Sequence, residues 1–185
     1  MTKTSSFVVF RNENEVSTQE VINRFKEELT SINLYEKSDI ELLVDLMAKN
    51  PTDRFMISVT PDVEGAQGDI LVWAKGTTMY NQNRPNLKHL KKTTNMVLQE
   101  TDSITGDHRI IPLEGSTVEV KVGEFVPEFL KGKNRWGDRS YRGMLVTSDK
   151  PFLIYHREHG NVSLPAGEYM VCTSLDAKSL TRMMD

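Results

Sequence analysis

The residues best able to do chemistry are His108, His156, Glu158 and His159, the last three packed into the four-residue run His156-Arg157-Glu158-His159. Imidazole and carboxylate are suitable ligands for zinc, iron or manganese, so a divalent transition metal is the candidate cofactor of this set. A metal so held lowers the pKa of a bound water. Glu158 and His156 are then the candidate catalytic residues, with Glu158 accepting the proton, and Arg109 stabilises a developing phosphate charge with Asp107 nearby. Such a constellation describes a metal-dependent hydrolase or nuclease, and it requires that Thr105 to Arg109 converge on His156 to His159. In an extended strand His156 and Glu158 share one face and His159 takes the other, unless Gly160 bends the chain. The spacing is not the helical His-Glu-x-x-His pattern. The competing reading is structural, with Glu158 and the histidines hydrogen-bonding a turn that leads into Asn161.

A second candidate is the basic, aromatic stretch PEFLKGKNRWGDRSYR at 127 to 142, in which Lys131, Lys133, Arg135, Trp136, Arg139, Tyr141 and Arg142 interleave cations with rings and follow Phe129. Cations meet phosphates while aromatic faces stack on bases, which suits single-stranded nucleic acid. Tryptophan and arginine also anchor protein interfaces, so an acidic protein surface is the other candidate partner. A solvated loop with Trp136 tucked into the domain is the plain alternative. Lys88, His89, Lys91 and Lys92 form another basic cluster, which strengthens anion binding if it lies beside this loop. Other signatures are missing: there is no phosphate-binding glycine loop, nucleophile elbow or paired-cysteine motif. Cys172, the single cysteine, sits in an apolar strand pattern where burial disfavours a thiolate, which argues against a thiol-imidazole pair.

The elements that must position these residues are of two kinds. Ser5 to Phe10 reads as a strand. Ser17-Thr-Gln-Glu20 and Ser38-Asp-Ile-Glu41 read as capping boxes opening two helices, the first with Val21, Ile22, Phe25, Leu29 and Ile32 on one face, the second ending at Asn50-Pro51. Residues 17 to 50 are thus expected to form a helical hairpin that covers a sheet or presents a partner-binding face. Strands are expected at 55–59, 69–75, 95–100, 108–113, 117–126, 143–148, 151–158 and 168–174, short and rich in β-branched and aromatic residues. Leu164-Pro165-Ala166-Gly167 reads as a tight turn making 151–158 and 168–174 antiparallel partners or near neighbours. Residues 76–94 and 127–142 read as long connections, and residues after 174 as a short terminal helix. The expected class is α+β, an N-terminal helical hairpin with a mainly antiparallel β-barrel or β-sandwich. The boundaries are 1–52 for the strand and hairpin, 53–174 for the β-rich domain and 175–185 for the tail.

QGDILV (67–72), VLQETDSITGDHRI (97–110) and FLIYHREHGNVSLPAGEYMV (152–171) together resemble a family of small uncharacterised proteins frequent in bacteriophage and prophage genomes. In that family a QGDV or QGDI strand opens, a Thr-Gly-histidine motif follows, and a His-x-Glu-His-Gly, Pro-x-Gly-x-Tyr hairpin closes. The middle motif there commonly has two histidines; here Thr105-Gly106-Asp107-His108-Arg109 has one, followed by arginine. The resemblance spans scattered pieces of residues 67 to 174 and implies a phage or mobile-element origin. It implies no reaction.

At 185 residues the chain is long enough for a substantial core, and 38% hydrophobic against 26% charged residues rules out wholesale disorder. No apolar run approaches the roughly 18 residues of a membrane-spanning helix, and the N-terminus lacks a signal-peptide core. A reducing host cytoplasm, or a virion, is the expected location. The net charge of −3 gives no global pull toward nucleic acid or anionic membrane, so local patches must supply any such binding. The expectation is a phage-encoded accessory protein, more a binder than an enzyme, that acts as a virion component or modulates a host factor. A protein partner leads, nucleic acid is the alternative, and no membrane is involved.

Overall fold

In the computed structural model the described residues are 7–10, 18–50, 53–67, 70–99, 108–128 and 141–173. They confirm the α+β class: three α-helices accompany two six-stranded sheets, neither closed into a barrel. The first sheet runs β1 (Phe7–Phe10), β2 (Phe55–Ser58), β11 (Gly160–Leu164), β10 (Phe152–His156), β7 (His108–Pro112), β6 (Val97–Gln99). The second runs β3 (Glu64–Gln67), β4 (Ile70–Ala74), β12 (Gly167–Thr173), β9 (Tyr141–Ser148), β8 (Val118–Phe125), β5 (Lys88–Thr93). Pairing is antiparallel except where β11 meets β2, with Asn161 opposite Phe55 and Ser163 opposite Ile57.

Alternation along the strands sends one set of side chains from each sheet into a shared core. Ile110, Phe152, Ile154, Val162 and Leu164 come from the first sheet; Val72, Val120, Val146, Tyr169 and Val171 come from the second. Phe152 meets Tyr169 edge-on at 5.5 Å, and the Tyr169 hydroxyl donates to the Pro165 carbonyl at 2.7 Å, which ties the turn between β11 and β12 to that core.

Helices α1 (Thr18–Ile32) and α2 (Lys37–Lys49) cover the other face of the first sheet. Val21, Phe25 and Leu29 recur every four residues along α1, and Ile40, Leu43 and Met47 line α2. All six are buried with Phe10, Phe55, Ile57, Leu113 and Leu153. The Phe25 ring packs edge-on against Phe10 at 5.2 Å and Phe55 at 5.9 Å. The Ser38 capping box does not form. Glu36 is the N-cap and uses its backbone carbonyl, which accepts from the amides of Asp39 and Ile40, so Ser38 lies inside the first turn. Ser17 lies outside the described residues, as do 174–185, where the terminal helix is expected.

Two further expectations change. Residues 76–94 are structured: α3 (Thr78–Asn83) and a 3-10 turn (Arg84–Asn86) cross the outer face of the second sheet before β5. There Tyr80 and Leu87 are buried with Trp73, Phe125, Leu145, Met170 and Cys172. The segments 151–158 and 168–174 are near neighbours rather than antiparallel partners: β10 turns back onto β11 while the Pro165-Ala166 connection carries the chain into the other sheet, where Tyr169 meets Phe152 across the core. β3, β5 and β11 were not expected as strands. Each is short, glycine-bearing or lysine-rich, and gains its place from its neighbours rather than from propensity.

Candidate functional site

Short connections between the sheets, from β7 to β8, β9 to β10 and β11 to β12, leave His108, His156 and Gly160 at the strand ends away from them. His108 shares a face with Ile110, and His156 with Ile154 and Phe152, so both rings enter the inter-sheet core from its end. They are 0% and 1% exposed. His159 does not point away. Residues 157–159 form a turn rather than continuing the strand, and Gly160 follows with φ +80°, which folds His159 back onto His156. Ring centroids are 4.3 Å apart for His108 and His156, 4.5 Å for His156 and His159, and 6.1 Å for His108 and His159. The planes diverge by 30°, 25° and 13°, which makes a stack.

The His156 ring also organises its own turn. Its Nδ1 accepts from the backbone N–H groups of Glu158 at 3.1 Å and His159 at 3.2 Å. An accepting Nδ1 places the proton of the neutral ring on Nε2. Glu158 is exposed, and its amide rather than its carboxylate contacts His156. Arg109 is exposed and alternates with buried His108 and Ile110, so it belongs to the opposite face of β7. Thr105 to Asp107 lie outside the described residues. Imidazole lone pairs lie in the ring plane, so a stack aims them side by side rather than at a common point. Among the described residues no group of three or more His, Cys, Asp or Glu side chains is arranged to hold a metal ion. Cys172 is buried on the outer side of the second sheet, where burial pushes its thiol up, away from the thiolate.

The basic residues gather elsewhere. β5 is the outermost strand of the second sheet, with Lys88, His89, Lys91 and Lys92 all exposed. It pairs with β8, which pairs with β9, so Lys88 lies opposite Glu124 and Glu124 opposite Arg142, which is exposed. The basic cluster therefore abuts the described ends of the basic, aromatic stretch. Phe129, Lys131, Lys133, Arg135, Trp136 and Arg139 lie outside the described residues; Tyr141 opens β9 opposite Phe125.

Two devices hold this arrangement. A Cβ at Gly123 would come within 2.6 Å of the Lys88 carbonyl oxygen, and one at Gly143 within 2.9 Å of Leu87, so the glycine pair lets the start of β5 press against β8 and β9. Glu128 then ties the loop entrance to the preceding segment: its amide donates to Asn83 Oδ1 at 3.1 Å and its carboxylate accepts from Asn86 Nδ2 at 2.8 Å. The Tyr80 hydroxyl donates to Glu168, and the Met79 amide to Glu64 at 3.1 Å, anchoring α3. Desolvation, reinforced by the Glu168 carboxylate, pushes the Tyr80 hydroxyl up to about 12, so it remains a donor. Along the strand Lys92 and Lys121 both pair with Glu119, whose carboxyl their hydrogen bonds hold below its usual range.

Sequence reasoning did not single out Arg54, Asn83, Asn86 or Glu128. Lone Asn and Arg residues in polar stretches carry no periodic signal, and their partners come from distant strands. Comparisons with known proteins find no match for the chain among family models, curated sequences or solved structures. No helix of the described residues is long and apolar enough to cross a membrane.

Proposed function

We propose that the protein is a non-enzymatic accessory protein that binds a macromolecule with an acidic surface, a host or virion protein, through the basic edge built on β5. We read its two sheets as a β-sandwich that displays this edge. The observation that supports the reading most is that Lys88, beside Lys91 and Lys92 on the edge strand, shares a row across the sheet with Arg142 at the exit of the basic, aromatic stretch, with Glu124 between them. Glu128, pinned by Asn83 and Asn86, holds the entrance of that stretch against the same segment. A bacteriophage or prophage origin rests on the resemblance of the QGDI, TGDH and HREHG motifs.

The test is affinity capture with the full chain from host lysate, compared with a Lys88→Glu, Lys91→Glu, Lys92→Glu variant that folds normally. A protein retained by the wild type and lost by the variant is the expected result. Capture that disappears after nuclease treatment, with affinity falling steeply as salt rises, favours the nucleic-acid alternative. Retention of the same protein by both forms sinks the assignment of the β5 edge.

The second reading, a metal-dependent hydrolase or nuclease using His108, His156, Glu158 and His159, draws on the meeting of three imidazoles. Metal content of purified, tag-free protein tests it. About one equivalent of a transition metal, lost in a His156→Ala, His159→Ala variant, favours it; metal-free folded protein removes it.

A further inference from the structure

The two open sheets have four edge strands: β1 and β6 bound the first sheet, β3 and β5 the second. An edge offers a row of backbone N–H and C=O groups to any strand that can lie against it, and folded proteins blunt such edges with charge, bulges or brevity. Three of the four are blunted here. β5 is Lys-His-Leu-Lys-Lys-Thr, its register shifts between Lys88 and Lys91, and His89 takes φ +57°. β6 has three residues, and its register with β7 shifts between Val97 and Gln99. β3 has Glu64 and Gln67 at its ends and Gly65 within, and the Glu64 carboxylate ties α3 to it.

β1 has none of these devices. Phe7-Val8-Val9-Phe10 is uncharged and consists wholly of aromatic and β-branched residues, the types that pair best in sheets. Its register against β2 is unbroken, from Phe7 opposite Ser58 to Phe10 opposite Phe55, and among the described residues β2 is its only strand partner. Phe10 is buried against Phe25 of α1, which holds the strand in place and keeps its outer edge presented.

We infer that β1 is a dimerisation strand: it pairs antiparallel with β1 of a second copy of this chain and so joins the two copies' first sheets edge to edge. A two-fold axis perpendicular to the sheet pairs like face with like face, so the helical layers of both copies fall on the same side. The identity of the occupant follows from closure. β1 on β1 is isologous and satisfies the edge of both copies, whereas β1 on any other edge of a second copy is head-to-tail and open-ended. The devices on β3, β5 and β6 block that open-ended growth. Short connections join equal positions of the two sheets, β7 to β8, β9 to β10 and β11 to β12, so β1 and β5 stand at opposite sides of the molecule. Pairing through β1 therefore leaves the basic β5 edge of each copy open, and it holds whether or not that edge binds a partner.

The test is sedimentation of the full-length protein over a dilution series from about 100 μM downward. A species of twice the chain mass is expected, dissociating on dilution, with amide hydrogen exchange across Phe7–Phe10 faster in the dilute samples than in the concentrated ones. Successive residues of an edge strand aim their N–H groups alternately at the neighbouring strand and outward. Of Val8→Pro and Val9→Pro, one therefore removes an outward donor and spares the pairing with β2. That variant should fold as the wild type does and self-associate roughly tenfold or more weakly. Lys91→Glu, on the β5 edge, should leave the dimer unchanged. A monomer across the whole series overturns the inference, and so does a dimer that survives in both proline variants. Should a proline variant fail to fold, the wild-type exchange decides: a dimer whose β1 protection does not depend on concentration overturns it as well.

Discussion

The two sheets are covered on their outer faces by different physics. Over the first sheet, α1 and α2 lay down a band of Val, Ile, Leu, Phe and Met against Phe55, Ile57 and Leu153. Over the second, the shorter α3 and 3-10 segment buries Tyr80 and Leu87 but is also tied down by Glu64, Glu168, Asn83, Asn86 and Glu128. Apolar covering needs only area and complementary shape, so it tolerates slippage and repeats at the helical period. The polar covering needs particular atoms within hydrogen-bond reach, which fixes β5 and the loop entrance in one place. A surface meant to present charges in a set pattern gains from the second kind.

Substitutions can break that contrast from either side. Phe25→Ala removes the ring that joins Phe10 to Phe55 and should cost about 3–5 kcal/mol in denaturant unfolding, the largest single effect expected. On the other sheet Gly123→Ala forces the Lys88 carbonyl away and should cost about 1–3 kcal/mol, with the amide shifts concentrated in β5. A change confined to β8 would show that β5 is not wedged there. Asn86→Ala takes the donor from Glu128 and should cost only about 1 kcal/mol. It should nonetheless raise hydrogen exchange at the entrance of the basic stretch, without loosening α1 or α2.

The smallest effect sharpens the comparison, because the apolar covering has one polar fault. Asp39, on α2, is 4% exposed and its Oδ1 has no hydrogen-bond partner. Desolvation holds its carboxyl above the usual range, with Lys150 offsetting part of the cost. A carboxyl whose folded pKa exceeds its unfolded value destabilises the fold above the folded value, and the penalty fades as pH falls toward the unfolded value of 3.8. Asp39→Asn should therefore gain about 0.5 kcal/mol at neutral pH. The gain over wild type should shrink as the medium is acidified toward pH 3.8. A gain that grows on acidification would mean that Asp39 is ion-paired rather than merely buried.

The same division governs what could be read from the chain. Helical periodicity placed α1 and α2 because burial on one face leaves a trace every three or four residues, and β-branched runs placed nine of the strands for the same kind of reason. Side-chain alternation put His156 and His159 on opposite faces, yet a three-residue turn closed by Gly160 at positive φ stacks them. The turn at Leu164 to Gly167 was visible as a turn, but not that it leads from one sheet into the other, since β10 had a nearer partner in β11. β11 itself, Gly-Asn-Val-Ser-Leu, is fully buried at every position and so shows no alternation to find.

What the chain determined by itself is therefore its α+β class, the helical hairpin, most strand positions and the places where cations and imidazoles cluster. These depend on local propensity and on one-sided burial, which are written residue by residue. Only the tertiary structure decided which clusters come together: His108 with His156, Lys88 and Arg142 on either side of Glu124, and Arg54 with Gly160. Each meeting depends on strand order and register between segments far apart in the chain. That choice is made by the summed packing of two sheets and their coverings, and no single stretch of sequence carries it.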